Sequence, residues 1–137
     1  MQGHSSRIQP DPSMKHKQYA ALPYRIVNEE PEVLLITTRK KGRWSVPKGW
    51  PMKRRTPCKA AAKEAFEEAG ILGRVGGQKV GRFKQRKVTG SKTIRCEVDI
   101  FPLTVRGMLN DWPEKHQRKR QWSRRSRRPT RSGPRVC

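Results

Sequence analysis

A short helix with a marked beginning and end constrains this chain more than any other feature. Thr56 is a good N-cap, and Pro57 follows at the first helical position, where its missing N–H has no cost. Alanine, lysine and glutamate dominate the residues that follow, and all three are strong helix formers. Gly70 is a natural C-terminal capping residue. The pattern therefore predicts a helix from Pro57 to Ala69.

This helix combines an acidic side with a side of small residues. Residues three and four apart share a face, so Glu64, Glu67 and Glu68 lie together. Neighbouring carboxylates repel one another, and the helix dipole disfavours them near the C-terminal end. These carboxylates have two interpretations. Either they form an acidic face exposed to solvent, or they bind a hard cation such as Mg2+, which takes oxygen ligands. The small residues form a stripe suited to close packing on a sheet: Ala61, Ala65 and Ala69.

Together with the loop before it, the helix resembles the sequence box of the Nudix family. That box is a glycine, five residues, a glutamate, seven residues, Arg-Glu, an aliphatic residue, any residue, Glu-Glu, any residue, a glycine and an aliphatic residue. Gly49 matches the first glycine, and Gly70 with Ile71 matches the ending. The three late glutamates of the box fall on Glu64, Glu67 and Glu68. The long, strict spacing makes this resemblance specific.

Two positions depart from the box. Arg55 stands where the box has its early glutamate, and Lys63 stands where it has arginine. In the family, that arginine orients a catalytic glutamate through a forked contact. Lysine keeps the charge but loses the fork, so this replacement bears on activity more than on fold.

The resemblance implies a set of roles for the box residues. Mg2+, with Mn2+ as an alternative, is expected to bind the carboxylates of Glu64, Glu67 and Glu68 and the carbonyl of Gly49. The catalytic set is these three glutamates and Lys63. The general base stays open: Glu64 is a candidate within the box, and Glu114 is a candidate outside it.

Residues beside the box glycine are candidates for binding a polyphosphate. Lys48 lies in Pro47-Lys48-Gly49, a segment similar to one found in Nudix hydrolases of dinucleoside polyphosphates. Arg54 and Arg55 follow the glycine, and a solvated loop is their alternative interpretation. Trp44 could stack on a base or pack in the interior. The predicted substrate-binding set is Lys48, Arg54, Arg55 and Trp44.

The rest of the chain reads as strands around this box. We expect a first strand at 19–28, with Pro23 at an edge position or at a strand start. The other expected elements are a buried strand at 33–38, a short strand at 43–47, a connection at 72–77, a hairpin of 78–88 with 92–105, and a last strand near 116–122. The resemblance implies an α/β fold, an α/β/α sandwich with a mixed sheet. The closing C-terminal helix of that fold has no counterpart in this sequence.

Composition divides the chain into three parts. Residues 1–18 lack periodicity and read as a disordered leader, 19–122 as the Nudix domain, and 123–137 as a disordered basic tail. The formal charge of +22 favours polyanionic partners, with non-specific nucleic acid contact through the tail. A genuine nucleic-acid-binding arm and a replacement after a shifted reading frame both remain open as origins of the tail. The oligomeric state is left undetermined.

Two functions follow, from different classes. The first is Mg2+-dependent hydrolysis of a phosphoanhydride bond in a small polyphosphate substrate, of the dinucleoside or diphosphoinositol type. The alternative is a catalytically weak module that binds nucleotide or RNA through basic charge. The chain has no run of about 18 apolar residues, so we expect no membrane contact. The polar N-terminus and three dispersed cysteines favour the cytoplasm.

Overall fold

The computed structural model describes residues 16–124. Its elements in chain order are the strands β1 (His16–Val27), β2 (Glu30–Thr37), β3 (Trp44–Ser45) and β4 (Lys48–Gly49), the helix α1 (Pro57–Ala69), the strands β5 (Ile71–Val75), β6 (Gly81–Thr89) and β7 (Lys92–Met108), a 3-10 turn (Lys115–Gln117), and the strand β8 (Arg120–Arg124). The first strand thus begins three residues before the predicted domain, and the last ends two residues after it. The remaining predicted leader and tail lie outside the described residues.

Helix α1 has the predicted bounds because its capping signals are local. The Thr56 hydroxyl accepts a hydrogen bond from the Lys59 N–H at 3.4 Å. Gly70 adopts the left-handed conformation, with φ of 67°, and its N–H donates to the Phe66 carbonyl at 3.0 Å. A residue with a Cβ would be strained at that φ. The helix therefore ends where the sequence indicates.

The strands form one mixed sheet, as predicted. Its main path is β3-β2-β1-β7-β5, while β4 pairs with β1, β6 with β7 and β8 with β2. Strand β1 runs parallel to β7, and the other pairs are antiparallel. The predicted hairpin of β6 and β7 is confirmed, with Gly90 in its turn at φ of 63°.

The core lies between α1 and one face of this sheet. Ala21, Phe101 and Leu103 supply the sheet side, and they meet the predicted stripe of small helix residues: Ala61, Ala65 and Ala69. All three alanines are fully buried, so the stripe allows close approach of helix and sheet. Within residues 16–124, α1 is the only α-helix, and that part of the chain has no helix long and apolar enough to cross a membrane.

Three predictions of strand structure were wrong for identifiable reasons. The expected connection at 72–77 is largely strand β5, because Gly73 allows close backbone approach: a Cβ there would overlap the Thr104 carbonyl of β7. Within the expected strand at 43–47, only Trp44–Ser45 (β3) is a strand, and β4 lies after it at Lys48–Gly49. Pro23 lies inside the central strand β1. It falls between the part of β1 that pairs with β4 and the part that pairs with β2, where no partner strand needs a hydrogen bond from an N–H at this position.

An ion-pair network anchors the hairpin beside this core. The side chain of Asp99, on β7, is buried. It accepts hydrogen bonds from Arg82 at 2.9 Å and Lys79 at 3.4 Å, and Lys17 lies 3.3 Å away. Burial raises the pKa of Asp99, but the hydrogen bonds from Arg82 and Lys17 outweigh it, and the pKa lies below its usual range.

This network predicts a pH-dependent contribution to stability. Because the folded-state pKa of Asp99 is depressed, its contribution is present above the unfolded value of about 3.9 and is lost as pH falls through the folded pKa. We expect Asp99→Asn to lower the melting temperature by about 5 °C at pH 7 and to lose that difference in strong acid. Thermal melts across pH check this, and an equal deficit at every pH would contradict it.

Candidate active site

The box glycine lies directly against the acidic side of α1. Gly49 pairs with Tyr19 of β1 in the sheet. A Cβ at Gly49 would overlap the carboxylate of Glu64. Only glycine therefore lets strand β4 and the Glu64 carboxylate share this space.

Glu64 and Glu68 form a buried carboxylate pair one helical turn apart. Their exposed fractions are 1% and 7%. The Lys48 N–H donates a hydrogen bond to Glu68 Oε1 at 3.4 Å. Burial raises the pKa of Glu68 and outweighs the lowering by Arg118 and by the hydrogen bond with Glu64. Two carboxylates at such a site need a proton or a cation between them.

The third predicted carboxylate, Glu67, is more exposed than this pair. Successive helical residues are separated by about 100°, so Glu67 cannot share the direction of its neighbour Glu68. Its side chain lies 3.6 Å from the Lys63 ammonium and is 23% exposed. Within residues 16–124, no set of three or more His, Cys, Asp or Glu side chains is arranged to hold a metal ion. The structure thus assembles two of the three carboxylates.

The donors present nevertheless fit a hard divalent cation. Buried carboxylate oxygens are what Mg2+ takes from proteins, usually one or two carboxylates with water and substrate phosphates completing the set. The raised pKa of Glu68 reflects the cost of burying its own charge, which a cation offsets as well as a proton does. Glu64 and Glu68 are therefore the residues that would hold the ion.

The two lysines predicted to act at the site, Lys63 and Lys48, have different surroundings. Lys63, at the box arginine position, contacts Glu67 and lies 5.5 Å from the Phe66 ring centre. Lys48 packs against the sheet with its Nζ 3.5 Å from the Ser45 hydroxyl, and burial, together with the charge of Lys87, lowers its pKa. Lys48 is thus fixed beside the carboxylate pair through its backbone.

The other predicted substrate-binding residues are exposed. Trp44 is 47% exposed on β3. Arg54 and Arg55 lie in an exposed turn that follows Met52, and within the described chain neither side chain reaches Glu64 or Glu68 by a hydrogen bond or ion pair. The structure therefore leaves these three available to solvent, and their role in binding stays a prediction.

Arg118 is a site residue that the sequence analysis missed. Its side chain is only 10% exposed. Its Nε donates to Glu114 at 2.7 Å, one Nη donates to the Thr37 carbonyl at 3.1 Å, and the other lies 3.7 Å from Glu68. Glu114, the candidate outside the box, is thereby brought close enough for its charge to raise the pKa of Glu68.

Two further residues that were missed fix the end of α1. The indole of Trp112 donates to the Glu68 carbonyl at 3.1 Å and covers Gly70. Arg120 donates to the Ala69 and Leu109 carbonyls, both at 2.7 Å, and its guanidinium lies 3.9 Å from the Trp112 ring centre. They satisfy carbonyls that the helix leaves unpaired. The backbone that carries Glu68 is therefore held firmly.

A basic cleft adjoins the carboxylate pair through Arg118. It has a volume of about 420 Å³ and includes the hydroxyl-bearing residues Thr37 and Thr38. No acidic residue lines it, and its basic lining residues are Arg39, Lys115, His116, Arg118 and Lys119. Such a cleft favours a ligand with several negative charges.

Comparison with known sequences identifies the family and the relatives of this chain. Residues 16–124 match the family profile described as the NUDIX domain. The chain is 34% identical over 114 residues to diphosphoinositol polyphosphate phosphohydrolase 3-beta of Bos taurus, covering 82% of this chain and 66% of that protein. It is 35% identical over 109 residues to the mitochondrial Nudix hydrolase 18 of Arabidopsis thaliana, covering 74% and 60%. The chain thus spans slightly less than two thirds of these relatives.

Solved structures share the fold at low sequence identity. A binary complex of the C. elegans Ap4A hydrolase superimposes with a TM-score of 0.58 at 19% identity, covering 80% of each chain. The NUDIX domain of Shewanella oneidensis NrtR, complexed with ADP ribose, superimposes with a TM-score of 0.59 at 10% identity, covering 82% of this chain and 77% of that one. These likenesses support the fold assignment.

Proposed function

This chain belongs to the Nudix family, and we propose that it is a divalent-cation-dependent pyrophosphohydrolase of small polyphosphates. The observation that carries this proposal is the buried pair of Glu64 and Glu68 against Gly49. Burying two carboxylates would be costly for a protein that bound nothing there. The pair falls on the box positions that bind the metal in the family.

In the proposed reaction, the cation and the side chains of this chain have different roles. Mg2+ or Mn2+, when bound, stabilises the negative charge that develops on the phosphoryl oxygens. Glu64 and Glu68 hold the cation, with the Gly49 carbonyl and Glu67 as further donors. The oxygen of water attacks one phosphorus, the anhydride P–O bond breaks, and a carboxylate takes the proton of the water. Glu64 and Glu114 are the two candidates for that proton acceptor.

The basic cleft supports a phosphate-rich substrate. One of its cations, Arg118, lies 3.7 Å from Glu68, so a phosphate chain cleaved at the pair could extend into the cleft. Relatives named for diphosphoinositol polyphosphates and a structural neighbour named for Ap4A both have substrates of this kind in their names. We propose a diphosphoinositol polyphosphate or a dinucleoside polyphosphate as the substrate.

Turnover of a small substrate panel tests this function. The panel contains a diadenosine polyphosphate, a diphosphoinositol polyphosphate, ADP-ribose and triphosphorylated RNA, each incubated with Mg2+ or with a chelator. We expect phosphate or nucleotide release from one of the first two, and only with the cation. A folded protein that releases nothing from any member would contradict the proposal.

A second candidate function, nucleic acid binding, rests on the β6–β7 hairpin. Arg86 and Arg95 are directly paired across the two strands, and both are exposed. Like charges placed opposite one another destabilise a sheet, and no acidic side chain in the described residues neutralises this pair. Strand β1 joins β7 only from Cys96 onward, so the hairpin end is two-stranded in the described chain. A cationic β-ribbon of this kind suits a phosphate backbone.

This candidate predicts a charge-specific loss of RNA affinity. We expect the double variant Arg86→Gln/Arg95→Gln to bind single-stranded RNA more weakly and to reduce the slope of log affinity against log salt by roughly 1.4. The matched control is Arg74→Gln/Arg106→Gln, which removes two exposed strand arginines elsewhere. Fluorescence anisotropy across salt concentrations measures both. Equal losses in the two double variants would indicate general charge attraction and exclude a hairpin site.

A further inference from the structure

The arginine that the Nudix box places on the helix is absent here. Lys63 occupies its position and is engaged with Glu67 at 3.6 Å and with the face of Phe66. An ammonium offers a point charge, whereas a guanidinium offers several donors in a fixed plane. Helix α1 therefore has no guanidinium of its own to orient the buried Glu68 carboxylate.

A guanidinium reaches that carboxylate from another part of the chain. Arg118 lies between the 3-10 turn and β8, and each of its three nitrogens faces a different partner: Glu114, the Thr37 carbonyl and Glu68. Two backbone contacts hold the adjoining residue, since the Lys119 N–H donates to the Thr37 hydroxyl at 2.9 Å and the Thr37 N–H donates to the Lys119 carbonyl at 3.0 Å. The guanidinium is thus anchored to the end of β2.

We propose that Arg118 is the positioning residue for Glu68, and that it supplies, from the segment before β8, the guanidinium contact that Lys63 cannot supply from the helix. This inference rests on the proposed function, because it assigns Glu68 to the cation. Arg118 also holds Glu114 beside the carboxylate pair and forms part of the basic cleft. One side chain therefore connects the cation-binding carboxylate, a candidate proton acceptor and the predicted phosphate site.

The substitution Arg118→Lys distinguishes a positioning role of Arg118 from an effect of its positive charge alone. A lysine at 118 keeps the positive charge but cannot contact Glu68, Glu114 and the Thr37 carbonyl at once. If Arg118 acts through its charge alone, Arg118→Lys binds Mn2+ as the wild type does, and Arg118→Gln binds it more tightly. If Arg118 positions Glu68, both variants bind Mn2+ more weakly, because partners that orient metal ligands are typically worth about 10- to 100-fold in affinity or activity.

The test is calorimetric titration of Mn2+ into the metal-free protein without substrate, followed by kcat and KM. We expect Arg118→Lys and Arg118→Gln each to weaken Mn2+ binding by about 10-fold and to lower kcat by at least as much. The matched control is Arg124→Lys, because Arg124 also lies 3.7 Å from a glutamate, Glu32, but on the outer part of β8. Thermal melts verify that each variant is folded.

The outcomes separate this inference from the proposed function. Unchanged Mn2+ affinity in Arg118→Lys, or tighter binding in Arg118→Gln, would overturn the positioning role. Weaker Mn2+ binding in both variants supports that role even if the panel substrates are not turned over, which would count against the proposed function alone. A wild-type protein that binds no Mn2+ would overturn both.

Discussion

Glu68→Gln is expected to lower turnover by about 100-fold or more without lowering the stability of the metal-free protein. The amide lacks the negative charge that holds a divalent cation, and the charge stabilisation that such a cation supplies is worth several kcal/mol. Each 1.36 kcal/mol corresponds to a factor of ten in rate. Because burial already disfavours the charged form of Glu68, removing the charge relieves an electrostatic cost in the metal-free protein.

Steady-state kinetics and thermal melts of the same preparations check this prediction. Glu67→Gln is the matched comparison, since it makes the same change one residue away on the same helix. Glu67 contacts Lys63 and is partly exposed, so we expect its variant to lose about 10-fold or less. Similar activity in Glu68→Gln and the wild type would exclude Glu68 as a cation ligand. A marked loss of stability would show that its role is structural.

Gly49→Ala is the second substitution with a large expected effect. The new methyl group would occupy the position of the Glu64 carboxylate, so either that side chain turns away or strand β4 moves. Overpacking of this kind costs about 1–3 kcal/mol, which corresponds to a fall in melting temperature of roughly 5–15 °C. Turning Glu64 away would also remove one of the two buried carboxylates, so we expect turnover to fall by at least about 10-fold.

Gly81→Ala provides the matched control for this change. Gly81 also lies in a strand, but a Cβ there would meet only the Ile100 side chain at 3.7 Å, an ordinary contact. We expect this variant to melt near the wild type and to keep its activity. If Gly49→Ala behaved like Gly81→Ala in both assays, the close contact between β4 and Glu64 would have no functional importance.

Local signals explain which parts of the fold could be predicted from sequence. The bounds of α1 follow from Thr56, Pro57 and Gly70, which act on their immediate neighbours. The hairpin follows from the alternation along β7 and from its turn. Strand β5 was missed because Gly73 has two opposite interpretations: a turn in the sequence, or the close backbone approach that the structure shows. Only the partner strand distinguishes them.

The sequence predicted the box residues of the candidate site but not the residues that surround them. The spacing of the box identified Gly49, Glu64 and Glu68 as neighbours, and the structure places them together. Glu67 shares the box but not the pair, because its direction from the helix differs. Arg118 and Trp112 were missed because their contacts join residues far apart in sequence, within a basic segment that has little periodicity. The strand predicted near 116–122 did not reveal that the fold buries Arg118.

The most direct test of the account is whether one divalent cation binds at the buried pair. Mn2+ would be titrated by calorimetry into metal-free wild-type protein and into the double variant Glu64→Gln/Glu68→Gln. We predict one ion per wild-type chain and no binding to the double variant, with both proteins folded. Absence of binding to the wild type, or equal binding to the two proteins, would contradict the assignment of Glu64 and Glu68 as the cation site.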